Sequence, residues 1–462
     1  MSTTITRVSG SAIIAENNFP CFMINSVAEW NNFSYAYVGL TSKDKDGGSF
    51  TKSEAVSICK QLQAAILKGN STAAARLSSG KGTLTFTGYL AGASVIAAAN
   101  GGLMLQAKIV CKDIDMFTFS PSVLISNLSV EGKAKLCIDA AKVANRSGID
   151  VISNHILAQL AGDTGGSVSA RALKLIQLAK KWSDKYIAGK SPVDTAGYDY
   201  FCRFLENSND TTELFNGEYT PDGAAENACV NSEIARILFD NSASLADVIS
   251  NLCARFNLCY SPNIYGGLGK LVALDFSGAG SSAVPGMDLT RSLGLRATSN
   301  FNYRNPAGQV VVPIYIGATN TGNRSNANIY AAYPEENEGG GRVINYSGGL
   351  ITKLAGIAAA TSTIKDGVVS GRNAKVNNIS KDFENKLKAL VRAGKSVAKN
   401  IYYKEKYSTS SVNATVYMSD TGLTIGKNVS MSGIVGVLSR FEVKADAING
   451  GTSATATLAG AH

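Results

Sequence analysis

The spacing of apolar residues along the first 124 residues predicts one helix set among strands. Thr51-Lys-Ser-Glu54 has the form of a capping box, which satisfies the free backbone N–H groups at a helix start. Apolar residues then recur at helical spacing up to Gly69, at Val56, Cys59, Leu62, Ala65 and Ile66. Strand-like patterns return at Leu84 and continue to Phe119. We therefore predict an N-terminal α+β domain over residues 1–124.

The pattern changes to a helical period between about Ser129 and Asn241. Three apolar stripes have the spacing of helix faces: Leu136, Ile138, Ala140, Val143 and Ala144; Ile149, Ile152, Ile156 and Leu160; and Leu173, Ile176, Ala179 and Tyr186. Lys174, Lys181 and Lys185 lie opposite the third stripe, which is typical of a solvated face. We expect a mostly helical domain over residues 125–243, inserted into a chain that is otherwise rich in strands.

A second β-rich domain is predicted over residues 244–379. Ser244-Leu-Ala-Asp247 is another capping box, and it opens a short amphipathic helix. The β-branched run Val310–Ile316 predicts a strand. Because Pro313 has no N–H for a ladder, we expect this strand to lie at an edge or to carry a bulge. Glu335–Gly341 is acidic and rich in glycine, as a flexible connection would be.

Residues 380–462 carry the clearest pattern. Positions spaced 4, 3, 4, 3 and 4 predict one face of a helix that starts near Ser380: Phe383, Leu387, Leu390, Gly394, Val397 and Ile401. Alternation with period two then predicts three strands, with one face formed by Val412, Ala414, Val416 and Met418; Phe441, Val443, Ala445 and Ala447; and Ala454, Ala456 and Leu458. Asn449-Gly450-Gly451 is typical of a hairpin turn. The order predicts a helix leading into a small antiparallel barrel or sandwich, in a chain of the α+β class.

The composition of the 462 residues narrows the classes of protein. Hydrophobic residues make up 45% and charged residues only 17%, below the roughly 25% of an ordinary soluble domain. So few charges cannot cover several separate domain surfaces, and we infer that much surface is buried between subunits. The net charge of +9 is small for so long a chain and does not indicate specific binding of nucleic acid. The length excludes a fragment-sized or disulfide-stapled scaffold.

The longest uncharged segment, Gly82–Ala107, is long enough for a membrane-spanning helix. Its residues Thr83–Thr87 alternate with period two, however, and Asn100-Gly101-Gly102 lies between two apolar runs, as hairpin turns do. We therefore expect strands and no membrane span. No cationic segment with an apolar core and a cleavage site follows Met1, so we expect no secretory signal.

Candidates for catalysis and metal binding are sparse. The histidines are His155 and His462, so Ser-His-Asp catalysis, Cys-His catalysis and histidine-ligated zinc lack the residues they need. His155 falls on a predicted helix face between two isoleucines, which is typical of a core-edge histidine. The cysteines form no C-x-x-C pair, and we expect reduced, packed thiols at Cys21, Cys59, Cys111, Cys137, Cys202, Cys229, Cys253 and Cys259. We predict no cofactor and no metal.

Two glycine patterns and one group of acids complete the search for an active site. Gly278-Ala-Gly280-Ser-Ser-Ala283 matches a relaxed dinucleotide fingerprint, but Pro285-Gly286 interrupts the helix that should follow, so we expect a loop. Ser79-Gly80-Lys81-Gly82 lacks the first glycine and the magnesium-binding hydroxyl of a phosphate loop. A carboxylate pair for glycoside cleavage would come from the insert, at Glu206, Glu213, Glu218 and Glu226. These acids stand in no motif, and we expect solvated acids and no enzyme.

Several segments resemble, in order, one family of proteins. Leu84-Thr-Phe-Thr-Gly88-Tyr-Leu90 is similar to the "F-x-G-Y/F-apolar" strand of the baseplate-hub proteins of contractile-tailed bacteriophages, which include the late-control-D proteins and the hub part of type VI secretion spikes. Leu103–Val110 resembles the strand pair that follows, and Ser244–Leu258 resembles the opening of the next domain. The family's "helix, strand, L-x-x-G-x-x-V, F-x-V" ending resembles Phe383–Tyr403, Val412–Met418, Leu423–Met431 and Phe441–Val443. In that ending Gly426 fits a tight entry into a barrel strand.

The resemblance implies a structural role in a virion. Hubs of this family carry two barrel-like domains per chain, so that a homotrimer presents six similar sheets to the sixfold tail tube and threefold symmetry to the central spike. The resemblance thus implies a baseplate hub made in the host cytoplasm, with the tail tube protein and the spike protein as partners. The helical block 125–243 departs from the family's pattern. Two alternatives stay open: another tail-tip or tube-initiator protein, and a hub that carries a peptidoglycan-degrading insert.

Overall fold

The computed structural model describes the greater part of the chain. The described ranges are 10–41, 50–79, 82–97, 102–126, 166–186, 195–208, 230–231, 234–239, 243–276, 282–283, 307–316, 327–346, 350–352, 381–407, 411–416, 423–431, 434–446 and 451–460. The first two predicted stripes of the insert, residues 136–144 and 149–160, lie outside them.

Six antiparallel strands form a ring of pairs in the N-terminal part. Their bounds are β1 Gly10–Ile14, β2 Asn17–Glu29, β3 Tyr35–Leu40, β4 Thr72–Ser79, β5 Gly82–Ala97 and β6 Leu103–Val110. Neighbours pair in the order β1-β4-β5-β6-β3-β2, and β1 also pairs with β2, so the path returns to its start. The β1–β2 hairpin turns at Ala15 and Glu16, whose φ angles of 48° and 67° are those of a two-residue hairpin turn.

The inward residues of these strands form one core. In β6, Leu105, Ala107 and Ile109 are fully buried and alternate with partly exposed neighbours. β5 contributes Leu84 and Phe86 to the same cluster. The alternation predicted from the sequence therefore identifies the core face of these strands.

Helix α1, Lys52–Leu67, packs against β5 and β6. It begins with the predicted capping box, in which the Thr51 hydroxyl accepts from the Glu54 N–H and the Glu54 carboxylate accepts from the Thr51 N–H. The helix contacts the sheet through a narrower face than predicted, with Ala55 and Leu62 buried. Val56 and Ile66 of the predicted apolar pattern are exposed to solvent instead.

The uncharged segment 82–107 is a strand hairpin, as predicted. β5 and β6 pair from Tyr89 with Val110 to Ala97 with Leu103. Among the described residues no helix is long and apolar enough to cross a bilayer. Ser79 pairs with Gly82 where β4 leads into β5, so the motif at residues 79–82 joins two strands, whereas a phosphate loop opens a helix.

The described part of the insert is helical. α2 spans Val168–Tyr186, α3 spans Thr195–Asn207, and residues 234–238 are also helical. Ile176 and Ala179 of the third predicted stripe are buried, and Lys174 and Lys181 are exposed on the opposite face. The predicted orientation of α2 is therefore correct.

The next elements share the core of the insert. α4, Leu245–Phe256, begins with the predicted capping box at Ser244 and Asp247 and packs on β7, Leu258–Ser261, which pairs with β8, Lys270–Ala273. A two-residue strand β9, Ser282–Ala283, follows. These two residues were expected to lie in a loop, and the glycine pattern therefore ends in a strand rather than in a phosphate-binding helix.

A second sheet contains the strand with Pro313. Its strands are β10 Ala307–Ile316, β11 Ala327–Tyr333, β12 Arg342–Asn345 and β13 Leu350–Thr352. β11 pairs along one side of β10, and β12 and β13 pair along the other, so β10 is not an edge strand. The predicted alternative, a bulge, is present as a register shift between Ala307 and Gln309. The pairs with β12 end at Val311 and those with β13 begin at Ile314. Pro313 therefore lies at the break between two partner strands.

Helix α5, Lys381–Tyr407, packs on β10 and β11. Gly394 and Val397 of the predicted face are buried, and Ile401 is partly buried against the same core. The heptad-like spacing therefore identifies the sheet-facing side of this helix.

The C-terminal strands join the N-terminal ring in one sheet. Their bounds are β14 Ser411–Val416, β15 Asn428–Met431, β16 Ile434–Asp446 and β17 Gly451–Ala459. Phe441, Val443 and Ala445 are buried, as the alternation predicts. β16 pairs with β17 on one side and with β15 and β2 on the other. The sheet thus runs across the predicted domains 1–124 and 380–462, whose boundaries stay predictions.

Candidate functional site

The most deeply buried carboxylate of the described residues lies where three parts of the chain meet. Asp113 is fully buried, and its side chain accepts three hydrogen bonds. The Gly269 N–H and the Tyr260 hydroxyl donate to Oδ2, the former at 2.8 Å, and the Tyr200 hydroxyl donates to Oδ1 at 3.1 Å. We call this set of four residues the Asp113 junction.

Each partner in the Asp113 junction comes from a different element. Asp113 lies in a 3₁₀ helix, Lys112–Thr118, directly after β6. Tyr200 lies on α3 of the insert, and Tyr260 lies on β7. The junction therefore ties the N-terminal ring to the insert and to the strands that follow it.

Burial controls the ionisation of the Asp113 junction. Desolvation raises the pKa of the Asp113 carboxyl, and the hydrogen bonds from Tyr260, Gly269 and Tyr200 oppose this effect. Burial also raises the pKa of Tyr260 well above its ordinary value, and the carboxylate adds to the shift. Burial raises the pKa of the neighbouring Cys111 thiol to about 11. Tyr260 thus remains a neutral donor throughout the physiological range.

Polar contacts around Tyr260 extend the junction to the ring. The Asn31 amide oxygen accepts from the Tyr260 N–H at 2.8 Å, and the Asn31 N–H donates to the Tyr260 carbonyl at 2.8 Å. Phe33 packs against the Tyr260 ring at 5.5 Å between centroids. A fully buried carboxylate with three donors has no open side for a substrate, so the junction stabilises the contact between elements.

The loop between β7 and β8 adds a second contact with the ring. The Ser26 hydroxyl donates to the Ile264 carbonyl at 2.6 Å, and the Thr87 N–H donates to the Tyr265 carbonyl at 3.1 Å. Ser26 is fully buried. The loop therefore completes hydrogen bonds of two ring strands, β2 and β5.

Close contacts explain why glycine occupies two positions in the segments that resemble hub proteins. A Cβ at Gly88 would lie 1.8 Å from the Val110 carbonyl oxygen, so only glycine permits the close approach of β5 and β6 there. Gly426 has a φ of 87°, and a Cβ there would lie 2.3 Å from the Cys259 sulfur. Gly426 therefore lies in a tight turn before β15, as expected. A side chain at this position would collide with the Cys259 side chain, and not with the backbone as expected.

The described cysteines are free thiols, as expected. They are Cys21, Cys59, Cys111, Cys202, Cys253 and Cys259, and all except Cys59 are buried. Burial raises the pKa of Cys21 and of Cys259 to about 12. Buried thiols with such pKa values are poor nucleophiles.

Of the candidates for catalysis named in the sequence analysis, the described ranges contain only Glu206. His155, His462, Glu213, Glu218 and Glu226 lie outside the described residues. Glu206 is exposed on α3. Within the described ranges no three His, Cys, Asp or Glu side chains are grouped as a metal site would require.

Sequence reasoning missed the Asp113 junction. The available signal was weak, because Asp113 stands between Lys112 and Ile114 directly after a strand, as a solvated turn acid does. Its partners are separated from it by 87 to 156 positions. Only the fold brings them within hydrogen-bonding distance.

Comparisons with known proteins give the following result. No protein-family model and no curated protein matches the chain. Among solved structures, the 43 kDa tail protein of prophage MuSo2 from Shewanella oneidensis aligns with 97% of this chain and 98% of its own, at 9% identity and a TM-score of 0.40. A tail protein from Neisseria meningitidis MC58 aligns with 98% of this chain and 96% of its own, also at 9% identity and 0.40. Prophage tail protein gp18 from Listeria monocytogenes EGD-e covers 98% and 94%, at 7% identity and 0.35. TM-scores below 0.5 do not establish a common fold, so a function for this chain has to be inferred from its own residues.

Proposed function

We propose that this chain is a structural protein of a phage tail and, within the tail, a baseplate hub that assembles as a homotrimer. The observation that carries the proposal is the continuous sheet formed by both ends of the chain. The segments that resemble hub proteins at Leu84–Leu90, Leu103–Val110, Leu423–Met431 and Phe441–Val443 all contribute strands to it. That segments far apart in sequence fall into one sheet supports reading the separate resemblances together as one architecture.

The edge of this sheet supports an assembled state. Among the described residues β14 pairs with β17 alone, which leaves its other edge for a further partner. Edges of this kind are satisfied by pairing or by cover from another chain. The low proportion of charged residues, 17%, suits a surface that packs permanently against other subunits.

The oligomeric state tests the proposal. Size-exclusion chromatography with light scattering on the purified protein should give about 145 kDa, three times the chain mass of 48.3 kDa. Mixing with the tail tube protein and the spike protein should produce a larger species that contains both. A strictly monomeric protein that joins neither would refute the hub, and a sixfold ring would favour a tube initiator.

A further inference from the structure

Helix α5 carries an unusual run of positive charge. Over its 27 residues α5 has eight cations and three carboxylates, Asp382, Glu384 and Glu405. The stretch from Asn385 to Lys404 has six cations and no carboxylate: Lys386, Lys388, Arg392, Lys395, Lys399 and Lys404. In the whole chain, by contrast, Lys and Arg together account for 44 of 462 residues. The concentration of charge is therefore a local feature of this helix.

Four of these cations and the later Lys406 lie along one line. Lys388, Arg392, Lys395, Lys399 and Lys406 are spaced 4, 3, 4 and 7 residues apart, which places them on a single helix face. We call this face the cationic stripe. At 1.5 Å per residue it is about 27 Å long. Lys388 and Arg392 are exposed, and the other three are partly exposed.

The cationic stripe is arranged against the stability of the helix alone. Like charges three or four residues apart repel one another and destabilise an isolated helix. Lys388, Arg392 and Lys395 also lie too far from the C-terminus for the helix dipole to favour them, because that effect is confined to the last turn. Carboxylates of a partner opposite the stripe would add to the groups that already offset this repulsion.

Neighbouring groups hold the stripe in place. The Lys395 ammonium donates to the Glu335 carboxylate at 2.6 Å. The Lys399 ammonium lies 5.8 Å from the Tyr333 ring centroid, and the Lys406 ammonium lies 5.2 Å from that of Tyr402. These contacts fix the directions of three flexible side chains, which lowers the entropy lost on binding.

We propose that the cationic stripe docks an acidic face of a partner protein, in which Asp or Glu side chains recur along a helix or strand. Charge complementarity indicates that the partner is anionic. Two carboxylates near the stripe favour a protein over a nucleic acid as that partner. Glu335 bonds Lys395, and Glu405, next to Lys406, bonds Arg342 at 2.9 Å. A continuous phosphate backbone would meet both carboxylates, whereas an acidic protein face can leave gaps opposite them. The proposal does not depend on the chain being a baseplate hub.

Binding of a defined acidic helix to the full-length protein tests the proposal. The probe is a fluorescent 21-residue alanine-based peptide with glutamates spaced 4, 3, 4 and 3, and its binding is followed by fluorescence anisotropy. Lys388→Glu combined with Arg392→Glu should weaken binding by about tenfold or more, because both changes place repulsive charge at the contact. The matched control, Lys60→Glu with Lys68→Glu, reverses two exposed lysines, one on α1 and one directly after it, and should change binding by less than about twofold. Circular dichroism and elution volume check that both variants are folded.

Three outcomes would overturn the proposal. The first is an absence of peptide binding by the unmodified protein. The second is an equal loss of binding in the α1 control, which would show attraction to net charge alone. The third is tighter binding of a 21-base-pair DNA duplex than of the peptide, with the same dependence on Lys388 and Arg392, which would make the stripe a nucleic-acid surface.

Discussion

Replacement of Asp113 by alanine should be among the most damaging single changes in the described part of the chain. The substitution leaves the Gly269 N–H and the Tyr260 hydroxyl buried without an acceptor. Each buried donor left without a partner costs about 1–3 kcal/mol, so we expect a loss of about 2–6 kcal/mol in the free energy of unfolding. Tyr200 adds little, because it is only partly buried and water can replace the lost acceptor.

Asp113→Asn separates the loss of hydrogen bonds from the loss of charge. An amide oxygen in the place of Oδ2 still accepts from Gly269 and Tyr260, and the amide group faces the Tyr200 hydroxyl, which can turn to accept. We expect a loss of about 1 kcal/mol or less at pH 7. Because the pKa of Asp113 is raised in the folded protein, its stabilising contribution is complete below the ordinary value of 3.8 and declines as the pH rises through the raised value. The stability of the natural protein relative to Asp113→Asn should therefore fall from pH 4 to pH 7.

Urea denaturation followed by circular dichroism at one protein concentration measures these differences. Asp115→Ala is the control, since Asp115 is exposed on the same 3₁₀ helix and accepts from the Tyr89 hydroxyl. We expect it to cost about 1 kcal/mol or less. The reasoning fails if Asp113→Ala is no worse than this control, or if the Asn variant is as damaged as the Ala variant.

Three further predictions test the sheet and the thiols. Gly426→Ala should cost roughly 2–4 kcal/mol in unfolding free energy, because the positive φ and the nearby sulfur both oppose a Cβ, whereas Gly92→Ala, with open space around it, should cost at most about 1 kcal/mol. Phe441→Ala should cost about 3–5 kcal/mol, against about 0.5 kcal/mol for Tyr330→Ala, which is 59% exposed; similar losses would contradict the buried role of β16. Among the described cysteines, iodoacetamide at pH 8 should label Cys59 first, as peptide mapping by mass spectrometry would show, and faster labelling of a buried thiol would refute the assigned burial.

Local patterns predicted much of the secondary structure because their causes are local. The capping boxes at Thr51 and Ser244 and the alternation around Phe441 depend on residues within a few positions of one another. The face of α5 followed from its spacing for the same reason. The helical character of the insert was predicted from the period of its apolar residues alone.

Contacts between residues distant in sequence determine the features of the fold that local patterns did not predict. Pro313 is tolerated in a central strand because it lies between the residues that pair with β12 and those that pair with β13. The local sequence around a proline does not predict such a break between partner strands. Val56 is 43% exposed because the buried residues of α1, Ala55 and Leu62, lie on a different part of the helix surface. The pairing of β2 with β16 and the Asp113 junction join residues at least 87 positions apart, and periodicity carries no information about such contacts.

Electron cryomicroscopy of the assembled tail tests the proposed function most directly. The account predicts three copies of this chain on the central axis, between the tail tube and the spike, with the C-terminal strands at the contact between neighbouring copies. Six copies, or a position away from the axis, would contradict it.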